Sequence, residues 1–379
     1  MRISQITLNQ SSWAAPDLEA LAAIQPQWVI ALGSVEALKA GGRALALAFP
    51  GAARMGCSTA GEISAQGVTD GTLVVTAVAF DKAHVKQVST VLGGMDDSLE
   101  AGRRLARTLP LNGLRAIVIL GQGVQINGSA VLAGLVDVVG PDIPITGGLA
   151  GDGGAFAQTW VLDNEGVSCD RLVCVGLYGP DLIFSHGSFG GWSPFGPARQ
   201  VTRCENNVLY ELDGQPALEV YKRYLGEHAK DLPASGLLFP FAMLGKDHNE
   251  LGLIRTILGV DEKTGSLTLA GDIEPDGYLK LMHSNTDALV DGAETAAKAS
   301  QAATSSNEPG LALLVSCVGR KLVMGGRVDE EVEVVADVYG RQTTFAGFYS
   351  YGEISPHSGE VACKLHNQTM TISYISEAP

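Results

Sequence analysis

Apolar runs in this chain are separated by glycine-rich turns and by segments with helical periodicity. The first clear run, Trp28 to Leu32, ends at Gly33-Ser34, and an amphipathic stretch then leads to Phe49. A further apolar run covers Leu73 to Val78. Short apolar runs bounded by turn residues are typical of buried strands, whereas spacings of three and four predict a helix. The predicted order is therefore strand, turn, helix, strand.

The same order recurs twice further along the chain. A second unit begins with the apolar run Ala116 to Leu120, and the last begins with Leu311 to Val315. The helix predicted in the last unit has one apolar face, formed by Val328, Val332, Val335 and Tyr339. Residues 28–80 and 311–375 are predicted to be equivalent units with the same strand order.

A short signature supports duplication, because it occurs four times: AGEI at 60–63, AGDG at 150–153, AGDI at 270–273 and YGEI at 351–354. The outer two copies extend over nine positions, 56–64 and 347–355, that share glycines, a small hydroxyl residue and Gly-Glu-Ile-Ser. The period is too long and irregular for a solenoid, which favours duplication inside globular domains. The predicted fold class is α/β, with two domains and duplicated units that form mixed sheets flanked by helices.

Length and charge narrow the organisation and the partners. A chain of 379 residues favours two domains, which we place at 1–215 and 216–379 because a helix begins near Pro216. The net charge of −15 and the lack of a basic stripe argue against nucleic acid. No secretory leader and no apolar run near 20 residues is visible, so we expect a cytoplasmic protein without membrane insertion.

Several segments together resemble the FIST family. Residues 56–62, 148–153 and 214–221 resemble its N-terminal domain, and residues 316–320, 346–354 and 366–369 resemble its C-terminal domain. Family members are sensory ligand-binding modules of signal transduction, and the NosP branch, to which the chain is similar, binds haem and senses nitric oxide. The resemblance implies a sensor without catalytic activity whose partner is a separate histidine kinase or another signalling protein.

The segment from Ser185 to Arg199 reads as an aromatic, glycine-rich loop that contains the residue types haem requires. These types are a neutral imidazole, flat apolar walls and a cation for the propionates. The candidate residues are His186, Phe189, Trp192, Phe195 and Arg199, with His366 as a second candidate iron ligand. Without a CxxCH motif, any haem would be b-type.

Other interpretations remain open at this stage. Each histidine can instead satisfy a nearby backbone group, with the aromatic residues filling a domain interface. Glu62 and Glu353, which occupy related positions, can bind an amine or a metal, although capping of backbone amides is favoured. Cys57 and Ser58 lack an identifiable base, so no catalytic residues are predicted. The alternative functions are a sensor of amino acids or another small metabolite without haem, a hydrolase and a structural adaptor.

Overall fold

A computed structural model describes residues 1–13, 17–303, 309–340, 342–356 and 363–379. The strands, in chain order, are β1 (Arg2–Leu8), β2 (Trp28–Gly33), β3 (Ala53–Ser58), β4 (Glu62–Ser64), β5 (Gly67–Thr69), β6 (Leu73–Ala79), β7 (His84–Val91), β8 (Leu114–Gly121), β9 (Ile145–Leu149), β10 (Val161–Leu162), β11 (Val167–Ser168), β12 (Arg171–Tyr178), β13 (Leu182–Phe189), β14 (Ser193–Pro194), β15 (Arg199–Glu205), β16 (Val208–Leu212), β17 (Gln215–Pro216), β18 (Phe241–Leu244), β19 (Glu250–Arg255), β20 (Ile257–Asp261), β21 (Ser266–Leu269), β22 (Tyr278–His283), β23 (Gly310–Cys317), β24 (Thr343–Ser350), β25 (Gly352–Pro356), β26 (Cys363–His366) and β27 (Met370–Glu377). The helices are α1 (Glu19–Ala22), α2 (Val35–Ala48), α3 (Ser98–Arg107), α4 (Gly128–Val139), α5 (Ala217–Leu225), α6 (Thr286–Ala302), α7 (Val318–Met324) and α8 (Asp329–Tyr339).

Three six-stranded sheets have the same construction. Their strand orders are β1-β6-β2-β3-β10-β11, β7-β12-β8-β9-β25-β26 and β13-β27-β23-β24-β4-β5. In each sheet the third and fourth strands are a parallel pair, connected through α2, α4 or the two helices α7 and α8. The remaining pairs are antiparallel. The predicted fold class is confirmed, and the units at 28–80 and 311–375 have the same strand order.

The two outermost strands of each sheet come from a different unit. The hairpin β4-β5 of the first unit pairs with β24 of the last, and β25-β26 of the last unit pairs with β9 of the second. The hairpin β10-β11 of the second unit pairs with β3 of the first, which closes the cycle. We call these three interlocked units the threefold body.

The long apolar runs exist because the central strands are buried on both faces. All six residues of β2 are buried. Val29 and Ala31 pack with α2, while Trp28, Ile30 and Leu32 contact the core shared with the other two sheets. A strand covered on both sides has no polar face, so its sequence lacks the alternation of a half-exposed strand.

A nine-stranded antiparallel sheet, formed between residues 193 and 283, makes up a second body with its own core. We call it the inserted body, because β13 precedes it and α6 returns the chain to the threefold body. Strands from both sides of residue 215 lie in this sheet, so the division into 1–215 and 216–379 does not coincide with a boundary between sheets. The other three signature copies each follow the second strand of a parallel pair. The copy at 270–273 instead follows β21, whose neighbouring strands are antiparallel to it.

The predicted loop at the start of the candidate haem segment is wrong. Residues 182–189 form β13, which pairs along its whole length with β27. Position 187 of this strand requires glycine because α6 packs directly on it: a Cβ there would lie 2.1 Å from the carbonyl oxygen of Ala296. This glycine allows a close helix–strand contact and does not mark a turn.

Candidate functional site

The three signature loops meet and bind one another through backbone hydrogen bonds. One amide of each loop donates to the carbonyl at the end of the parallel strand in the next unit. The bonds run from Ala60 to Tyr349 (2.9 Å), from Tyr351 to Leu149 (3.1 Å) and from Gly151 to Ser58 (2.8 Å). The signature therefore marks the junction at which the chain passes from one sheet into the next.

Glu62 is buried and faces its own loop. It accepts hydrogen bonds from the hydroxyl of Thr59 and from the amide (2.9 Å) and hydroxyl (2.7 Å) of Thr72. Burial raises its pKa above the ordinary value. The carboxylate satisfies local donors, which confirms the capping interpretation for this residue.

Glu353 repeats the arrangement in the last unit. It accepts from the Ser350 hydroxyl at 2.7 Å and from the amide (3.2 Å) and hydroxyl (3.1 Å) of Thr369. Burial raises its pKa to about 8. The capping interpretation is confirmed here too, and the two carboxylates occupy equivalent positions in separate sheet junctions.

Cys57 and Ser58 are both buried beside the first junction. The Ser58 hydroxyl accepts a hydrogen bond from the amide of Trp160 at 2.8 Å. Burial raises the pKa of the Cys57 thiol, which disfavours the thiolate that a nucleophile needs.

His186 and Phe189 lie on opposite faces of β13. They are three residues apart on one strand, and side chains alternate between faces with a period of two. The His186 ring packs near Phe184, at 6.3 Å between centroids, and its buried Nδ1 has no hydrogen-bond partner among the described residues. Burial lowers the pKa of His186. The two residues do not reach one ligand from the same face of the strand.

Trp192 and Phe195 separate as well. Trp192 donates from Nε1 to the carbonyl of Gln368 at 2.8 Å, which anchors its segment to the threefold body. Phe195 packs in the core of the inserted body, with its ring 6.2 Å from Phe239 and 5.5 Å from His283. The aromatic residues of the segment thus serve different contacts.

Arg199 and His366 already have protein partners. Arg199 donates to Asp213 at 2.9 Å and to the Tyr224 hydroxyl at 2.6 Å. His366 is buried on β26, with Nε2 3.0 Å from the carbonyl oxygen of Ser355. It lies in the sheet of β9, whereas His186 lies in the sheet of β27. The structure therefore does not gather the predicted haem residues into one site.

Two of the predicted haem residues, Phe189 and Trp192, line a common cleft of about 470 Å³, which we call the aromatic cleft. Its other wall comes from the inserted body and includes Met243, Lys280 and Met282. Of the residues that line this aromatic cleft, His248 alone carries an imidazole; it is exposed and stacks on Tyr278 at 3.8 Å. Sequence reasoning did not connect these residues with the glycine-rich segment, because they lie on strands and in a turn far from it along the chain and no motif connects them.

A second cleft, the interbody groove, has a volume of about 500 Å³ and lies between α4 and β26 on one side and the inserted body on the other. Arg255, at the end of β19, forms part of its wall together with Asp272. Asp272 also accepts a hydrogen bond from Asn127 of the threefold body at 3.1 Å. Both clefts contact the two bodies at once, so a ligand in either would touch both.

The fold and these clefts define an α/β protein that can hold a small ligand between packed bodies. The FIST N domain model matches residues 27–215 and the FIST C domain model matches residues 217–356. The chain belongs to the FIST family, and its domains are those of sensory, ligand-binding proteins of signal transduction. The resemblance seen in the sequence is thereby confirmed.

Other comparisons are more distant. An uncharacterized protein of Methanocaldococcus jannaschii is 37% identical over 102 residues, which is 25% of this chain and 19% of that protein. The match thus spans about a fifth of that relative. Two solved structures of cyanuric acid hydrolase, one from A. caulinodans, align at 7% and 10% identity with TM-scores of 0.39 and 0.35. They cover 99% and 100% of this chain and 98% and 99% of theirs. Within the described residues, no helix combines the length and the apolar character that crossing a bilayer requires.

Proposed function

We propose that this chain is a cytoplasmic small-molecule sensor, without catalytic activity, that binds its ligand in the aromatic cleft and regulates a separate signalling protein. The observation that carries the proposal is the position of the cleft. Phe189 and Trp192 come from the segment that leaves the threefold body, whereas Met243 and Met282 belong to the inserted body. A ligand that binds such a cleft changes the relative stability of arrangements of the two bodies.

The first ligand to test is b-type haem. The cleft supplies apolar aromatic walls in Phe189 and Trp192, thioethers in Met243 and Met282, and a cation for a propionate in Lys280. Its volume of about 470 Å³ lies within the range of cofactor pockets. These features fit the group, and a bound haem iron would supply the binding site for nitric oxide.

The imidazole requirement points to a different histidine from the two in the sequence hypothesis. His186 and His366 do not line the aromatic cleft, whereas His248 does. His248 is exposed and lies in the turn between β18 and β19, so its ring can leave the stacking contact with Tyr278 without breaking a core. We therefore assign the role of iron ligand to His248.

Haem titration of the full chain tests this assignment. A saturable Soret band is expected, and His248→Ala is expected to shift or remove the ferrous spectrum. His186→Ala and His366→Ala should leave it unchanged, and His84→Ala, outside the cleft, is the matched control. The absence of saturable haem uptake would overturn the haem assignment, and an unchanged spectrum in His248→Ala would overturn the ligand assignment.

Regulation of a partner needs its own measurement. Autophosphorylation of a histidine kinase is expected to differ between the ferrous protein and its nitric oxide complex, because a ligand changes a partner only through differential affinity for two states. The net charge of −15 suits docking on a basic surface. Equal kinase activity at full occupancy would exclude that kinase as the partner.

A sensor of an amino acid or another metabolite without haem is the second candidate. The interbody groove favours it, because its wall contains the buried Arg255 guanidinium, which donates only to backbone carbonyls and forms no salt bridge among the described residues. Isothermal titration of haem-free protein with metabolites separates the two candidates, since they use different clefts.

A further inference from the structure

The interface between the threefold body and the inserted body, which we call the seam, lacks a shared apolar core. Each cluster of buried apolar side chains among the described residues belongs to one body only. No salt bridge joins the two bodies in the described part of the chain. A third cavity, of about 250 Å³, lies on the seam beside the aromatic cleft and the interbody groove. Interfaces within one chain permit relative motion unless they are large and apolar.

Side-chain hydrogen bonds hold the seam closed. Three of them join Asn127 Nδ2 to Asp272 Oδ1 at 3.1 Å, Arg255 Nη1 to the carbonyl of Leu365 at 3.2 Å, and Gln368 Nε2 to the carbonyl of Leu237 at 2.8 Å. A further bond, from the amide of Thr256 to Oδ1 of Asn367, is long at 3.5 Å. Each such bond has a small net effect on stability, because water replaces the lost partner when the bodies separate.

Two buried polar atoms at the seam have no hydrogen-bond partner among the described residues. They are Oγ1 of Thr256 and Oε1 of Gln368, in residues that are 3% and 0% exposed. A buried acceptor without a donor costs free energy that hydration would return. The closed seam is therefore destabilised at these two atoms, and opening toward water relieves that cost.

The two chain crossings between the bodies lie side by side. In the first crossing, Gly191 packs against α6 and Trp192 is bonded to the threefold body, whereas Ser193 and Pro194 are exposed. Ser193 pairs with His283 of the second crossing, which is exposed as well. Two adjacent exposed crossings define one axis and absorb backbone rotation without disrupting a core.

We propose that the inserted body is a hinged cover that turns about residues 193–194 and 283–284, and that the hydrogen bond between Asn127 and Asp272 latches it closed. The chain then exchanges between the closed arrangement of this structure and an open one with a hydrated seam. The aromatic cleft adjoins the axis, because Trp192 and Pro194 both line it. A ligand in that cleft would bias the angle between the bodies, a consequence that rests on the proposed function, whereas the movement itself needs no ligand.

Single-molecule fluorescence energy transfer in the ligand-free full chain measures the movement. Dyes are attached through azide-bearing residues at two exposed positions, Arg43 of α2 and Lys263 of the inserted body, so the six native cysteines stay unlabelled. Two populations are expected, of which the closed one is the larger. Asn127→Ser keeps a capping residue for α4 but removes the bond to Asp272. The ratio of open to closed molecules should therefore rise about tenfold, which corresponds to about 1.4 kcal/mol.

Thr256→Val should act in the opposite direction. Valine keeps the shape of the side chain and removes the hydroxyl that has no partner in the closed seam, so the ratio of open to closed molecules should fall severalfold. Asn9→Ser, at an exposed asparagine of the threefold body, is the control and should leave the ratio unchanged. Haem titration of the same proteins without dyes separates the proposals: two populations without haem uptake would support the hinge and overturn the haem assignment.

A single transfer efficiency shared by the native chain and both variants would overturn the hinged movement. An unchanged ratio in Asn127→Ser, when circular dichroism shows that variant to be folded, would overturn the latch. A rise of the ratio in Thr256→Val would contradict the cost assigned to the closed seam and overturn the proposal on that ground.

Discussion

Replacing Glu353 with glutamine should change how the stability of the protein depends on pH. The carboxyl group is fully buried and accepts hydrogen bonds from Ser350 and Thr369. Desolvation outweighs these bonds and raises its pKa from 4.5 to about 8. Glutamine keeps the shape and a carbonyl acceptor but does not titrate.

The magnitude follows from the difference between the folded and unfolded pKa values. Between pH 4.5 and 8 the folded chain retains a proton that the unfolded chain has lost, so this group makes the free energy of unfolding fall as pH rises. The slope is at most about 1.4 kcal/mol per pH unit. From pH 5 to pH 8 the contribution of Glu353 therefore declines by up to about 4 kcal/mol.

Urea unfolding at pH 5, 6, 7 and 8 measures the effect, with the native chain and Glu353→Gln compared at each pH. The variant is expected to gain stability relative to the native chain as pH rises. Glu62→Gln should show the same sign, because burial also raises the pKa of Glu62. Glu36→Gln is the exposed control. A stability difference between Glu353→Gln and the native chain that stays constant over this range would refute the reasoning.

Two further substitutions test the packing. Glu331→Ala removes the carboxylate that pairs with the buried Arg320 at 2.8 Å, so urea unfolding should show a loss of about 3–5 kcal/mol in the free energy of unfolding. Replacement of the exposed Glu333 on the same helix with alanine is the control and should cost little. Similar losses for both variants would contradict the role assigned to Glu331. Gly147 has a φ of +133°, and Gly147→Ala places a Cβ 1.8 Å from a carbonyl oxygen of β8, so little soluble folded protein is expected. Gly51→Ala is the control, because its Cβ meets no atom within 4 Å. A normal yield and melting temperature for Gly147→Ala would disprove the close approach.

The repeated units could be predicted from the sequence because their central strands are buried on both faces. That burial produces uninterrupted apolar runs such as Trp28 to Leu32. In the first and last units, the Gly-Glu signature follows the strand that comes after the helix, which marks the two units as related. The exchange of hairpins could not be predicted, since the short strands Glu62–Ser64 and Gly352–Pro356 carry no signal that names their partner. Pairing between strands is a tertiary property that local pattern does not encode.

The candidate site was harder to predict, and the reason lies in the glycines. Gly187 and Gly191 both suggested a loop, but only Gly191 lies in one, at a φ of +75° between β13 and β14. A Cβ at either position would meet a carbonyl oxygen of α6, at 2.1 Å for Gly187 and 2.2 Å for Gly191. Composition does not distinguish a glycine needed for a turn from one needed for close packing. The aromatic residues were recognised, but only Phe189 and Trp192 reach the cleft.

The circular exchange of hairpins gives one polypeptide the closure of a ring-shaped trimer. In a cyclic oligomer each subunit offers one surface to the next and receives a different surface from the previous one, and the ring closes only when every member is present. Here the hairpin β25-β26 covers β9, and β24 receives β4, so both contacts depend on the last unit. During synthesis these strands leave the ribosome after those of the first two units. A chain that stops after the first two units therefore has an open outer edge at β9 and an unpaired hairpin at β4, and open edges of this kind recruit strands from neighbouring molecules.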